Sequence, residues 1–306
     1  MSAPFNNDPT IPFMPKIIQE GFQTLISSII PTKNEHRKAL VNIGEATLCL
    51  AENFGCYEFF EAGSYFEGQT AIRGYSDTNY FAVCPEENIS NSSSVTLKKF
   101  KDALQSSFAL IKDISITMSS IQIPFGNIAP ESLSITPAVY RGFTQTPYGK
   151  QRYFTIPTYK GKWINVSPEA HNNYLTANDI RLGGKLRPLI QLLKAWKYFY
   201  TVPISSFYLE LLITRYAEKE NTIVYDIDFK EILRLLCDIN LGSIADPLGI
   251  SGRVNACSSE AQKRNAFSQV VADLKRAEIA VEIRTEDPAK AASLWNIIFS
   301  KRFPAG

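Results

Sequence analysis

The residues of this chain best suited to phosphate chemistry lie between 62 and 83: Ala62-Gly63-Ser64-Tyr65, a segment punctuated by Gly68 and Gly74, then Asp77-Thr78-Asn79-Tyr80-Phe81-Ala82-Val83. Backbone amides at Gly63 and Ser64, with the Ser64 hydroxyl, can face a phosphate if the pair opens a short helix. Asp77 then offers a carboxylate to a metal ion at the head of an apolar strand. Side chains alternate along a strand, so Asp77, Asn79, Phe81 and Val83 share one face. A second carboxylate at 79 would complete a metal clamp, and an amide stands there instead. The layout suits nucleoside triphosphates and puts turnover in question. A Gly-Ser pair alone would read as an ordinary strand-to-helix turn; the downstream Asp77 gives it weight.

The surrounding chain can position such a site. Its 306 residues suffice for one large domain or two modest ones with a substantial core. Hydrophobic residues make up 45% and charged residues 20%, the balance of a folded soluble protein. His36 and His171 are far apart in sequence, which disfavours a zinc site. The five cysteines (Cys49, Cys56, Cys84, Cys237, Cys257) are odd in number and form no CxxC pair. They read as free, mostly buried thiols of a cytoplasmic protein. Pro4, Pro9, Pro12 and Pro15 break the N-terminal segment, which lacks the pattern of a signal peptide. No apolar run reaches the roughly 18 residues of a membrane-spanning helix, so no membrane partner is expected.

Net charge is +2, from 32 basic and 30 acidic residues. Proteins that grip long nucleic acid neutralise many phosphates with a concentrated basic surface. The densest basic stretch here runs from Arg181 to Lys197 with Lys185, Arg187 and Lys194 between. It matches one or two triphosphates better than a polymer, so no long nucleic acid is expected as a partner.

Apolar periodicity predicts helices over Ile17–Ile29 and Leu40–Leu50, the second closed by Gly55. Strands follow at Tyr57–Ala62 and Asp77–Cys84, then an amphipathic helix through Leu97, Phe100, Leu104 and Phe108. Ile114–Phe125 and Leu133–Ala138 read as an antiparallel pair joined by a turn from Gly126 to Glu131. Tyr153–Ile156 and Trp163–Val166 read as further strands. From Leu186 the pattern is helical, with Leu189, Ile190, Leu193 and Trp196 on one stripe. Further helices are expected at Phe207–Glu218, Phe229–Cys237, Ser259–Ala280 and Pro288–Phe303. The organisation is an α/β core lobe over 1–180 and a helical lobe over 181–306, with Gly183-Gly184 at the boundary and a nucleotide cleft between the lobes.

The Gly-Ser…Asp-x-Asn segment resembles the DNA polymerase β-like nucleotidyltransferases, whose signature is Gly-Ser followed by Asp-x-Asp. More closely, the chain resembles the bacterial CD-NTases (SMODS proteins), second-messenger synthetases of antiphage defence related to cyclic GMP-AMP synthase and oligoadenylate synthetase. Three further blocks carry the likeness in the family's order: Trp163–Asn172, Lys185–Leu211 and Asp246–Cys257. The resemblance implies Mg2+ or Mn2+ held by three carboxylates. The first maps onto Asp77, the second onto Asn79, and the third onto Ser134 within Leu133-Ser134-Ile135-Thr136-Pro137-Ala138. Local charge at these positions then falls from about −3 to −1, which weakens the hold on a divalent cation. Glu67 and Glu131 are nearby in sequence but out of phase, and Asn165 falls in a block that matches a non-catalytic family segment. On the helical lobe the resemblance makes Lys194 and Ser206 triphosphate contacts and Phe207 a base-stacking ring, which gives affinity without base identity. Trp196, Tyr208, Leu209 and Leu211 read as core.

Three functions follow as expectations. One is a nucleotide-binding pseudoenzyme of a defence operon, bound to nucleoside triphosphates and to an effector or regulator. Another is an active synthetase of a cyclic or linear oligonucleotide messenger. The third is a scaffold whose cleft binds a protein.

Overall fold

A computed structural model describes residues 14–32, 43–65, 70–126 and 131–304. The predicted helix residue Leu40, and also His36 and Glu67, lie outside the described residues. The chain divides into two compact units: Ile30–Ala177 with Ala245–Val254, and residues through Ile29 with Asn178–Ile244 and Asn255 onward.

The first unit is a mixed sheet with helices. Its elements are α2 (Ile43–Phe54), β1 (Glu58–Ala62), β2 (Thr78–Val83), α3 (Ser93–Ser107), β3 (Ser115–Ile116), β4 (Ile121–Pro124), β5 (Ser132–Thr146), β6 (Gly149–Pro157) and β7 (Trp163–Val166). Helix α1 (Lys16–Ile29) precedes them and belongs to the other unit. The strands run in the order β1-β2-β5-β4-β3, with β6 on β5 and β7 on β6. Among the described residues only β2 and β5 pair in parallel, setting Asn79 opposite Ser134. The alternation read in β2 separates two cores. Ala82 and Tyr80 pack with Ala46, Leu50, Leu97, Phe100 and Leu104 on the helix side. Phe81 and Val83 pack with Ala62, Ala138, Phe154 and Val166 on the other side. Burial, reinforced by Glu61, pushes the Tyr80 phenol up to about 12.

Three features depart from the sequence expectations. Strand β5 continues eight residues past Ala138 to Thr146 and turns back into β6 through Pro147-Tyr148, with a bulge in their pairing between Tyr140 and Gly142. Its outer half mostly alternates between exposed and half-buried positions, so it has no hydrophobic period to read. A helix, α4 (Pro168–Arg181), forms where the sequence shows no apolar stripe. The expectation of five free thiols is also corrected, because Cys56 and Cys84 are joined in a disulfide. They flank the ends of β1 and β2, whose antiparallel pairing brings them together even though they are 28 residues apart. No local motif announces a pair set by tertiary register. Cys49, Cys237 and Cys257 are free.

The second unit holds α1, α5 (Leu186–Phe199), α6 (Ser206–Ala217), α7 (Tyr225–Asp238), α8 (Glu260–Ile283) and α9 (Pro288–Ile298). Gly183 and Gly184 adopt φ of +65° and +77°, conformations that cost a side chain dearly. The turn they make lets Asp179 Oδ1 accept the Leu186 and Arg187 amides, both at 3.0 Å, and start α5. The expected division at 180/181 grouped α1 with the sheet. Aromatic packing instead assigns it to the helices: the Phe22 ring meets Trp295 at 5.1 Å and Phe303 at 5.0 Å. The predicted final helix ends at Ile298, since Ser300 and Lys301 have φ of 51° and 64°.

Gly21 exists for this contact. A Cβ there would lie 2.3 Å from Phe303 Cζ. Gly21→Ala should therefore destabilise the protein by about 1–3 kcal/mol through overpacking, although alanine is the better helix former. A chemical denaturation midpoint equal to or above the parent's would show that Phe303 yields freely.

Candidate nucleotide-binding site

The sheet brings together the residues that the sequence had placed 57 positions apart. Asp77 sits one residue before β2. Ser134 Oγ donates to Asp77 Oδ2 at 2.5 Å. Asn79 Nδ2 points at Asp77 Oδ1 from 3.3 Å. Ser134 is almost fully buried, whereas Asp77 and Asn79 are half-buried. Gly63 closes the same cluster with φ +74°, and a Cβ on it would meet the Asn79 side chain at 3.1–3.3 Å. Gly63–Tyr65 is one 3-10 turn, so it offers local backbone amides rather than the dipole of a long helix. Sequence reading missed one support. Buried Ser76 accepts the Ile72 amide at 2.9 Å and fixes the loop that delivers Asp77.

Of the two carboxylates near this segment in sequence, one can be placed. The Glu131 carboxylate rests over Gly126, and Glu67 falls outside the described residues. Asn165 lines a separate cavity of about 300 Å³ with Thr144, Tyr153 and Leu248. His171 is occupied by a structural contact: its Nε2 lies 3.0 Å from both Asp246 carboxylate oxygens. Burial alone would raise the Asp246 pKa, but His171 and the Ser251 and Leu248 amides hold it at about 2. Among the described residues no group of three or more His, Cys, Asp or Glu could hold a metal ion.

On the helical unit, Lys194, for which the resemblance implies a triphosphate contact, lies inside the helical packing. Its side chain is fully buried and its Nζ lies 2.7 Å from Glu210 Oε1. Helix α5 is buried over both faces here, from Leu189 through Trp196, so no exposed lysine position exists at 194. Trp196, Tyr208, Leu209 and Leu211 are core, as the sequence indicated. The cation beside Ser206 is Lys197, which the sequence reading did not single out. Lys197 Nζ donates to Ser206 Oγ at 3.0 Å and to the Ile204 carbonyl at 2.5 Å. It also lies 4.8 Å from the Tyr198 ring centroid, and Tyr198 Oη is 3.3 Å from Ser206 Oγ. Burial, followed by the charge of Lys194, lowers the Lys197 pKa to about 8. Ser205 caps α6 by accepting the Tyr208 amide at 3.3 Å, which leaves Ser206 and half-buried Phe207 in the first turn.

A mixed sheet that pairs Asp77-x-Asn79 with Ser134 after a Gly-Ser turn defines a DNA polymerase β-like nucleotidyltransferase fold. Within that class, the chain has the fold of the bacterial CD-NTases. The structure of Escherichia coli MS115-1 CdnC with ATP superimposes with a TM-score of 0.69 at 14% identity, covering 95% of this chain and 99% of that one. The Bradyrhizobium diazoefficiens CD-NTase CdnG with GTP gives 0.67 at 13% identity, covering 95% and 98%. The Vibrio cholerae dinucleotide cyclase DncV gives 0.66 at 13% identity, covering 94% and 96%. In sequence, a Bacillus cereus protein named as a probable cyclic nucleotide synthase is 25% identical over 167 residues, 53% of this chain. That match spans about half of the relative's length, 49%. No family model matches the chain. No described helix is long and apolar enough to cross a membrane.

Proposed function

We propose that this protein is a CD-NTase-like nucleotidyltransferase that binds nucleoside triphosphates and turns them over slowly or not at all. One observation carries the reading: the Asp77 carboxylate faces two neutral partners, Ser134 at 2.5 Å and Asn79 at 3.3 Å, where a two-cation centre would set further carboxylates. Nucleotidyl transfer of this kind uses two Mg2+ or Mn2+ ions about 3.5–4 Å apart, one to clamp the leaving oxygens and one to activate the attacking hydroxyl. A single anionic side chain does not fit that pair. Hydroxyl and amide oxygens can ligate a cation but contribute no charge to hold it against water.

The phosphate-binding parts remain. The Gly63-Ser64 turn presents backbone amides at the end of β1, with Gly63 next to the Asn79 side chain. On the helical unit, Ser206 and Lys197 offer a hydroxyl and an ammonium, and Phe207 a ring for a base, in place of the Lys194 contact the resemblance had implied. Related structures named with ATP and with GTP support a nucleotide as the ligand. The reading extends to a cytoplasmic role in antiphage signalling, with an effector or regulator as partner and no long nucleic acid. The net charge of +2 supports the last point. An active synthetase is the second reading, favoured by the name of the Bacillus cereus relative.

Nucleotide at a hundred times its dissociation constant should stabilise the fold by about 2.7 kcal/mol. Thermal melts with each of the four ribonucleoside triphosphates test this, and the absence of any shift at saturating concentration counts against binding. The role of Lys197 adds a pH dependence. Only its protonated form attracts phosphate, so affinity should be full below about 8 and fall as pH rises through it. In Lys197→Arg, whose guanidinium stays charged, that decline should vanish. Identical pH profiles for parent and variant would remove Lys197 from the contact.

A further inference from the structure

The donor set around Asp77 also bears on how a cation could enter the site. Magnesium is commonly held by one or two carboxylates plus the phosphates of its substrate, keeping several waters. An ion chelated by a triphosphate therefore arrives with most of its ligands, and one carboxylate suffices to receive it. The second ion of a two-cation pair has no such supply. It needs anionic protein oxygens to offset its neighbour's charge a few ångströms away. Here both Asp77 oxygens already face side-chain donors, Ser134 Oγ–H at Oδ2 and Asn79 Nδ2–H at Oδ1. Register fixes these donors in place, since Asn79 and Ser134 are partners across the parallel β2–β5 pairing. Gly63, at the end of β1, lacks the Cβ that would meet the Asn79 side chain at 3.1–3.3 Å.

Resting on the nucleotide-binding reading above, we infer that the site takes one divalent cation, carried in by the nucleotide's own phosphates, and holds none by itself. The nucleotide would then be seated while its acceptor hydroxyl goes without an activating ion.

Mn2+ binding followed by electron paramagnetic resonance separates the cases, because free aqueous Mn2+ gives a signal that bound ion loses. The full chain without nucleotide should take up no Mn2+ more tightly than about 1 mM. With an equimolar mixture of non-hydrolysable ATP, GTP, CTP and UTP analogues it should take up one ion per bound nucleotide. Asp77→Asn should cut the affinity for the Mn–nucleotide complex at least tenfold, and in EDTA should not weaken nucleotide binding, since without a cation the carboxylate only repels phosphate. The double variant Asn79→Asp/Ser134→Glu should bind two ions per nucleotide and serves as the internal control. Two ions in the parent, or tight uptake without nucleotide, would overturn the inference while leaving nucleotide binding intact. Failure of any nucleotide to bind, in EDTA or with Mn2+, would remove the binding reading and this inference together.

Discussion

Replacing Asn79 with Asp and Ser134 with Glu in one chain should raise pyrophosphate release from mixed nucleoside triphosphates at least a hundredfold in Mg2+ or Mn2+, about 2.7 kcal/mol of barrier. The two positions are register partners on adjacent parallel strands, and Ser134 already touches Asp77. Carboxylates placed there would therefore converge on the space that Asp77 faces. Each single change should do little, because a centre lacking any one anionic ligand still holds its ions poorly, and groups acting as a unit are strongly non-additive. Adding Asp77→Asn to the double variant should abolish the gain. The double variant should also melt lower than the parent in EDTA and recover with Mg2+, since three clustered carboxylates repel until a cation joins them. An inert double variant that recovers stability with Mg2+ would mean that the cations bind but the acceptor is misplaced. An inert variant with no such recovery would mean that Ser134 is not the third-ligand position.

Lys194→Ala should lower the stability of the unliganded protein by about 3–5 kcal/mol, the cost of breaking a buried ion pair. Lys194 is fully buried and Glu210, 2.7 Å away, is only 21% exposed. Removing the ammonium leaves a shielded carboxylate and an empty volume in a helix that is core on both faces. The paired replacement Lys194→Met/Glu210→Leu should recover most of the loss, because swapping both charges for apolar groups of similar size is often close to neutral. Denaturant melts of the three variants decide the matter. An unchanged midpoint for Lys194→Ala would return this lysine to the surface and to the phosphate.

The two elements that matter most were legible in the sequence. Strand β2 announces itself as the apolar run Tyr80-Phe81-Ala82-Val83 opened by Asp77, and such a run suits a strand with core on both faces, as found here. The resemblance sets Ser134 on a strand neighbouring Asp77, and the β2–β5 register does put it opposite Asn79, while its role as a ligand position is part of the proposal. What escaped depends on tertiary partners. Lys194 sits inside because Glu210 on α6 lets a charge be buried there, a partner that the sequence around Lys194 does not announce. Lys197 carried no signal of its own, since its nearness to Ser206 depends on how the chain folds back through Pro203 into α6. The Cys56–Cys84 bond and the assignment of α1 to the helical unit likewise follow from pairing and aromatic packing that no local period encodes.

The central claim is that this chain binds nucleoside triphosphates without efficient turnover, and one paired measurement tests it most directly. Purified protein is incubated with all four ribonucleoside triphosphates in Mg2+ and again in Mn2+. Retained nucleotide is identified by mass spectrometry while pyrophosphate is followed in the same tube. The account predicts intact triphosphate held by the protein and pyrophosphate release far below an ordinary enzymatic rate of about 1 per second. Release at or above that rate, accompanied by a linked oligonucleotide product, would contradict it and establish the chain as a working synthetase.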